Sequence, residues 1–213
     1  MKTFLLFLVF FFIGFAIILS YQYWNPQKLP IGIIKPAITT QFSLKNAPIE
    51  SLQGKIATIS GTVNWLSRIA SKPVHPKLLQ SVQQGEEIST GANGKTVINI
   101  QNEASLFLQS NTHVGIVQLL PQNFVFVQDK GWVRYANTIK VPVSVKSFDL
   151  VTLLTSGIMT STVDEKNQTV TIAVVKGNVH EAYEDSQNNS NVLMVNSGQT
   201  FVFDEVNKVG TIQ

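Results

Sequence analysis

There is no cysteine among the 213 residues. That excludes disulfide frameworks, thiolate metal sites and cysteine nucleophiles in one step. A small secreted eukaryotic domain would often be stapled, so the absence points to a bacterial exported protein whose core is large enough to stand alone. Charge is sparse as well: 14% of residues are charged and the net charge is +3. The basic residues are scattered, as Lys45, Lys55, Lys72, Lys95, Lys130 and Lys146. No block of like charge forms a stripe that would track phosphates, and nucleic acid is not an expected partner.

Signatures of catalysis are missing too. His75, His113 and His180 are the only imidazoles, and none has an i, i+4 or H-x-H partner, so each reads as a surface histidine and no metal is expected. No Gly-x-Ser-x-Gly elbow and no phosphate-cradling glycine loop is present. The carboxylate pairs Glu86-Glu87, Asp164-Glu165, Glu184-Asp185 and Asp204-Glu205 are expected in solvated turns or at strand ends. Neighbouring residues on a strand point to opposite faces, so such pairs do not confront each other across a cleft as a glycosidase requires. The expectation is a non-catalytic protein without a cofactor.

What is present begins with an apolar run from Phe4 to Leu19, preceded only by Met1, Lys2 and Thr3. A bilayer core takes about 20 mostly apolar helical residues, and with Thr3 and Ser20 the run reaches the short end of that range. Tyr21, Tyr23 and Trp24 follow as an interfacial aromatic belt would. Lys2 would keep the N-terminus in the cytoplasm. A cleaved signal peptide is the competing reading, but Ile18-Leu19-Ser20 is a poor small-x-small site. Residues 1–24 are therefore expected to be a transmembrane anchor in the bacterial cytoplasmic membrane, with everything after them extracytoplasmic. Residues 25–54 read as a tether interrupted by Pro26, Pro30, Pro36 and Pro48, with Ile49 to Leu52 apolar enough to dock on the domain or stay near the membrane.

From Lys55 to Gln213 short apolar runs alternate with turn residues. Strands are expected at 56–66, 96–100, 105–108, 124–127, 132–135, 141–145, 150–154, 169–175, 192–195 and 200–203. Turns are expected at 91–94, 101–104, 129–131, 164–167, 176–178 and 196–198. Only Pro76 to Gln83 has helical potential, ended by Gly85. The fold class is all-β, an antiparallel sandwich or solenoid-like wrap. Gly91 and Gly94 suit a tight turn with positive φ, and Gly177 and Gly198 suit hairpin turns. The Thr90 hydroxyl is placed to bond the turn backbone. Trp65 and Trp132, with Phe107, Phe124 and Phe126, are either core aromatics or a platform for stacking glycans.

The stretch Gly85-Glu86-Glu87-Ile88-Ser89-Thr90-Gly91-Ala92-Asn93-Gly94, followed by Ile98 to Ile100 and Ser105 to Leu108, resembles the FecR-type domain. That family carries a "G-D-x-I-x-T-G-x-x-G" turn between strands. Ile59-Ser60-Gly61-Thr62-Val63 is similar to its opening strand, Lys130 to Val133 and Val175 to Val179 to its "x-G-x-V" hairpins, and Val195 to Gln199 to its closing turn. Asn102-Glu103-Ala104 replaces the family's Asp-Gly-Ser loop, and Thr155 to Met159 replaces its Arg-Gly-Thr turn. The resemblance implies sigma regulation. Family regulators have a sigma-binding segment before the membrane helix, and with three residues ahead of Phe4 that activity is not expected here. The functional expectation is a binding or scaffolding module for another envelope protein, with a cell-wall glycan as the alternative ligand.

Overall fold

The computed structural model describes residues 47–101, 104–138 and 141–213. Phe4, Leu19, Tyr21, Tyr23 and Trp24, expected to form the anchor, and most of the expected tether lie outside them. The described residues hold no helix, and fourteen strands join into a single sheet in which all pairings but one are antiparallel.

The strands are β1 (Gly54–Ser60), β2 (Val63–Leu66), β3 (Ser81–Val82), β4 (Glu86–Thr90), β5 (Lys95–Ile100), β6 (Ala104–Leu108) and β7 (His113–Leu120). They continue with β8 (Asn123–Asn137), β9 (Val143–Ser147), β10 (Leu150–Asp164), β11 (Thr169–Glu184), β12 (Ser190–Asn196), β13 (Thr200–Asp204) and β14 (Val209–Ile212). Nearly every strand alternates buried and open residues with period two, the pattern of a sheet with one face on a core.

Three strands are long, and each changes neighbours half-way along. The first half of β8 pairs with β7 and runs parallel to β9, while its second half pairs with β6 and β10. The first half of β10 lies between β9 and the second half of β11; its second half lies between β8 and the first half of β11. In turn, β11 passes from β13 to β12. The result is two rows sharing their long strands: β2-β4-β7-β8-β9-β10-β11-β12, and β3-β1-β5-β6-β8-β10-β11-β13-β14. The rows face each other. Phe126 in the first half of β8 meets Tyr135 in the second at 6.0 Å between ring centroids, and Gln128 Nε2 donates to the carbonyl of Ser161 across the same gap at 3.2 Å.

Glycine makes the bends. Gly131, Gly157 and Gly177 have φ of 84°, 130° and 85°, and Gly157 sits opposite Gly177 in the β10–β11 ladder. A Cβ on Gly157 would lie 2.0 Å from the Lys176 carbonyl oxygen, and one on Gly177 would lie 2.3 Å from that of Ser156. Only glycine permits both the left-handed φ and the close backbone approach. This corrects two expected turns: 129–131 and 176–178 lie inside continuous strands, as does the segment 155–159.

Two further expectations fail. Residues 76–83 are not helical: Leu79 has φ 61°, its amide donates to the Ile56 carbonyl, and Ser81 and Val82 pair with β1. Docking against β1 satisfies that backbone better than two turns of helix begun at Pro76. And β7, absent from the expected strands, is an eight-residue element of the first row. Gly115 and a bulge between Ile116 and Gln118 disturb its alternation.

The core is aliphatic and phenylalanine-rich, with Phe124, Phe126, Phe201 and Phe203 fully buried. The domain begins at its first contacts with the preceding chain. The Leu52 amide donates to the Leu119 carbonyl at 2.7 Å, whereas Ile49 is 98% exposed.

Candidate interaction surface

Consecutive residues along β9, β10, β11 and β12 line up across the first row. Val145, Thr152, Glu181 and Leu193 form one lateral line, directed at the core. The next line, Lys146, Val151, Ala182 and Val192, has the opposite parity and faces outward. So does Ser144, Leu153, His180 and Met194. Val192 is 68% exposed, Met194 50% and Val151 39%. They form an apolar strip on solvent, bounded by Lys146, Asp149 and Glu184 around a shallow groove of about 420 Å³.

The strip ends on a free edge. Among the described residues β12 pairs with β11 alone, so its second row of backbone donors and acceptors is unused. Its sequence, Ser190-Asn191-Val192-Leu193-Met194-Val195-Asn196, holds no charge and no proline. Natural proteins normally blunt a long edge strand with lysine, proline, a bulge or a covering segment. The other edges follow that rule. The open side of β2 is met by Val74, which exchanges backbone hydrogen bonds with Trp65. Strand β3 has two residues and β14 four. Among the described strands, β12 is the one that is long, neutral and open.

The hairpin presenting β12 is held by an aspartate. Asp185 Oδ1 accepts from the amides of Gln187 and Asn189, each at 2.9 Å. The same device closes β10–β11, where Asp164 accepts from Lys166 and Asn167, and β13–β14, where Asp204 accepts from Asn207. In all three the hydrogen bonds from the asparagine hold the carboxyl below its usual range.

Directly beneath the strip lies Glu181, fully buried. Its Oε2 accepts from the Thr152 hydroxyl at 2.6 Å while Oε1 has no partner, and burial pushes its acid up to about 8. The adjacent core-facing Ser147 hydroxyl is likewise unpaired. Glu181 was not singled out in the sequence; a lone Glu at a core parity of an apolar strand was the available signal.

The sequence-expected residues are dispersed. Trp65 packs against the core, and its Nε1 donates to Glu86 Oε2 at 2.8 Å. Glu86 is therefore not in a solvated turn: it is buried in β4, where desolvation raises its acid against the hydrogen bond from Trp65. Trp132 is half-buried in the second row, edge-on to Phe107 at 5.9 Å and 79°. The two tryptophans thus belong to different rows and form no common platform.

Gly85 and Gly198 adopt φ of 82° and 85°, as Gly177 does within its strand. Gly91 and Gly94 are not among the positive-φ glycines. Crowding explains Gly94 instead, since a Cβ there would stand 2.0 Å from the Thr62 carbonyl oxygen. Nor does the Thr90 hydroxyl bond its own turn. It donates to the Gln109 carbonyl and accepts from the Thr112 amide, tying β4 to the loop before β7.

His113, expected alone, bridges two carboxylates, with Nδ1 2.6 Å from Asp129 and Nε2 3.2 Å from Glu87. His75 contacts the Val63 carbonyl, and His180 lies exposed on the strip. No group of three metal-ligating side chains occurs among the described residues.

No family model matches the chain, and no curated protein matches it. Two solved structures of a putative anti-sigma factor from Parabacteroides distasonis ATCC 8503, at 2.50 and 1.65 Å resolution, share its fold with TM-scores of 0.52. Sequence identity is 11% and 10%, and each match covers 60% of this chain and 58% of the other. The likeness is one of fold, and this chain spans less than two thirds of the length of those neighbours.

Proposed function

We propose that this protein is a non-catalytic, membrane-anchored binding module that captures an extended segment of another envelope protein on the open edge of β12. One observation carries the reading: among the described residues β12 is a long, uncharged, proline-free edge strand paired on one side only, and it borders the apolar line Val151-Ala182-Val192. An added strand would gain backbone hydrogen bonds from the edge and side-chain specificity from alternate residues against Val192 and Met194. Residues 1–24 would hold the domain outside the cytoplasmic membrane. The FecR-type resemblance and the fold shared with a putative anti-sigma factor support an envelope signalling context.

Charge at the edge tests this. A photo-crosslinker replacing Asn191 in the full-length chain, expressed in its own membrane, should capture a recurring protein. Val192→Lys with Met194→Lys should abolish that capture without altering the fold, because both side chains are exposed. Undiminished capture by the double variant, or capture from position 175 as readily as from 191, would remove β12 from the interaction. The glycan reading retains one observation, the half-buried Trp132–Phe107 pair. It predicts that the chain sediments with purified cell wall and that Trp132→Ala releases it.

A further inference from the structure

The connection between β2 and β3 combines cations with exposed aliphatic side chains. From Ser67 to Gln80 there is no Asp or Glu, while Arg68, Lys72 and Lys77 supply positive charge. Ile69, Val74, Leu78 and Leu79 are 64%, 53%, 61% and 66% exposed, which a connection with no partner would ordinarily avoid. Lys72 and Lys77 are exposed too, and so is Lys55, opposite Ser81 in the β1–β3 pair. The nearby acids are mostly engaged: Glu86 holds Trp65, and Glu87 faces His113, leaving Glu50.

The position of the segment matters as much as its chemistry. Its return arm lies against the residues through which the chain enters the domain. The Ile56 amide donates to the Gln80 carbonyl, the Leu79 amide donates to the Ile56 carbonyl, Gly54 pairs with Val82, and the Ser81 hydroxyl donates to Gln53. Exposed Ile49 lies just before that point. The described chain therefore enters the domain beside exposed aliphatic side chains and beside Lys55, Lys72 and Lys77, which form no ion pair among the described residues.

We infer that the segment Ser67–Gln80 docks on the anionic lipid surface of the membrane, seating Ile69, Val74, Leu78 and Leu79 among the headgroups with Lys72 and Lys77 against lipid phosphates. Exposed aliphatics flanked by cations without acids suit an interface that offers apolar depth and negative charge together. A docked segment fixes the orientation of the domain on the membrane. The residues between Trp24 and Gln53 span on the order of 100 Å when extended, at roughly 3.5 Å each. The inference rests on the membrane-anchored reading above.

The lack of cysteine makes the test direct. A polarity-sensitive fluorophore is attached to the full chain through Leu78→Cys, or through Val175→Cys as an exposed control. Each chain is reconstituted in nanodiscs of phosphatidylcholine alone or with phosphatidylglycerol. The label at position 78 should shift to the blue and be quenched by brominated lipid in the anionic discs, more weakly in the neutral ones. The shift should be lost with Lys72→Glu and Lys77→Glu, while the label at 175 stays water-like throughout. A retained chain whose label at 78 matches that at 175 in anionic discs overturns the docking alone. A blue shift of equal size in neutral and anionic discs overturns it as well, since it does not then depend on lipid charge. A chain that elutes free of the disc with a water-like label overturns both the docking and the anchor.

Discussion

Thr152 and Glu181 face each other across the β10–β11 ladder and share a 2.6 Å hydrogen bond inside the core, with buried Leu150, Leu154 and Val179 next on the same face of their strands. A carboxyl there is carried neutral, because ionising it would leave a charge with one hydroxyl as its only partner.

The consequence is a stability that declines with pH. The folded-state acid is pushed up to about 8 from an ordinary value of 4.5, so between those values the folded protein holds a proton that the unfolded chain has released. Stability must fall as pH rises through that window and level off above it. With 1.36 kcal/mol for each pKa unit, the loss is at most about 5 kcal/mol. Urea unfolding at pH 5 and pH 9 should show it. Glu181→Leu should flatten the dependence and be the more stable chain at pH 9; parallel profiles for the two proteins would contradict this account.

Glycine bends and glycine turns should separate cleanly under mutation. Gly177 combines φ of 85° with a Cβ position 2.3 Å from the Ser156 oxygen, whereas Gly198 has the same φ and open space. Gly198→Ala meets only the left-handed backbone cost, about 1–2 kcal/mol. Gly177→Ala must also move the β10 backbone and should lose clearly more, as should Gly157→Ala. Equal losses in thermal unfolding would mean that the bend is not enforced by close packing.

The hairpin aspartates act in the opposite sense to Glu181. Hydrogen bonds from Asn167, Asn189 and Asn207 lower the acids of Asp164, Asp185 and Asp204 in the folded state. Their stabilisation is present above the ordinary carboxyl range and lost as pH falls below it. Asp204→Ala should accelerate hydrogen exchange at the Asn207 amide at neutral pH, and the difference from the parent should shrink as pH falls below the ordinary carboxyl value. No effect at neutral pH would show that the β13–β14 turn does not depend on its carboxylate.

Much of this arrangement was legible in the sequence, and particular residues show where legibility ended. Short apolar runs bounded by turn residues located the cores of β5, β6, β9 and β13, and Asp164-Glu165-Lys166-Asn167 located a hairpin turn that the structure contains. Gly131 and Gly177 look the same in sequence whether a strand turns back or bends and continues. The difference lies in what pairs beyond them, which is set by non-local partners such as β10 and β12. A bulge hid β7, and backbone pairing with β1 overrode the helical potential of residues 76–83. The open edge of β12 was beyond reach for a similar reason. Its residues were identifiable as a strand, but that no other described strand pairs with its far side is a property of the whole topology.

The last prediction concerns Trp65, whose role decides between a structural and a ligand-binding reading. Its indole donates to Glu86 Oε2, and the Gln83 amide donates to that same oxygen at 2.9 Å. Trp65→Phe keeps most of the packing against the core and removes one donor from a buried carboxyl. Losing such a partner costs about 1–3 kcal/mol, so the variant should unfold at lower urea while binding any glycan as the parent does. Replacing Glu86 with Gln preserves an acceptor for the indole, relieves the desolvated charge and should retain more stability than Trp65→Phe. The opposite result would place Trp65 in a ligand site: unchanged stability in Trp65→Phe with lost retention on cell wall. It would also show that the Trp65–Glu86 contact does not hold the start of β4 in place.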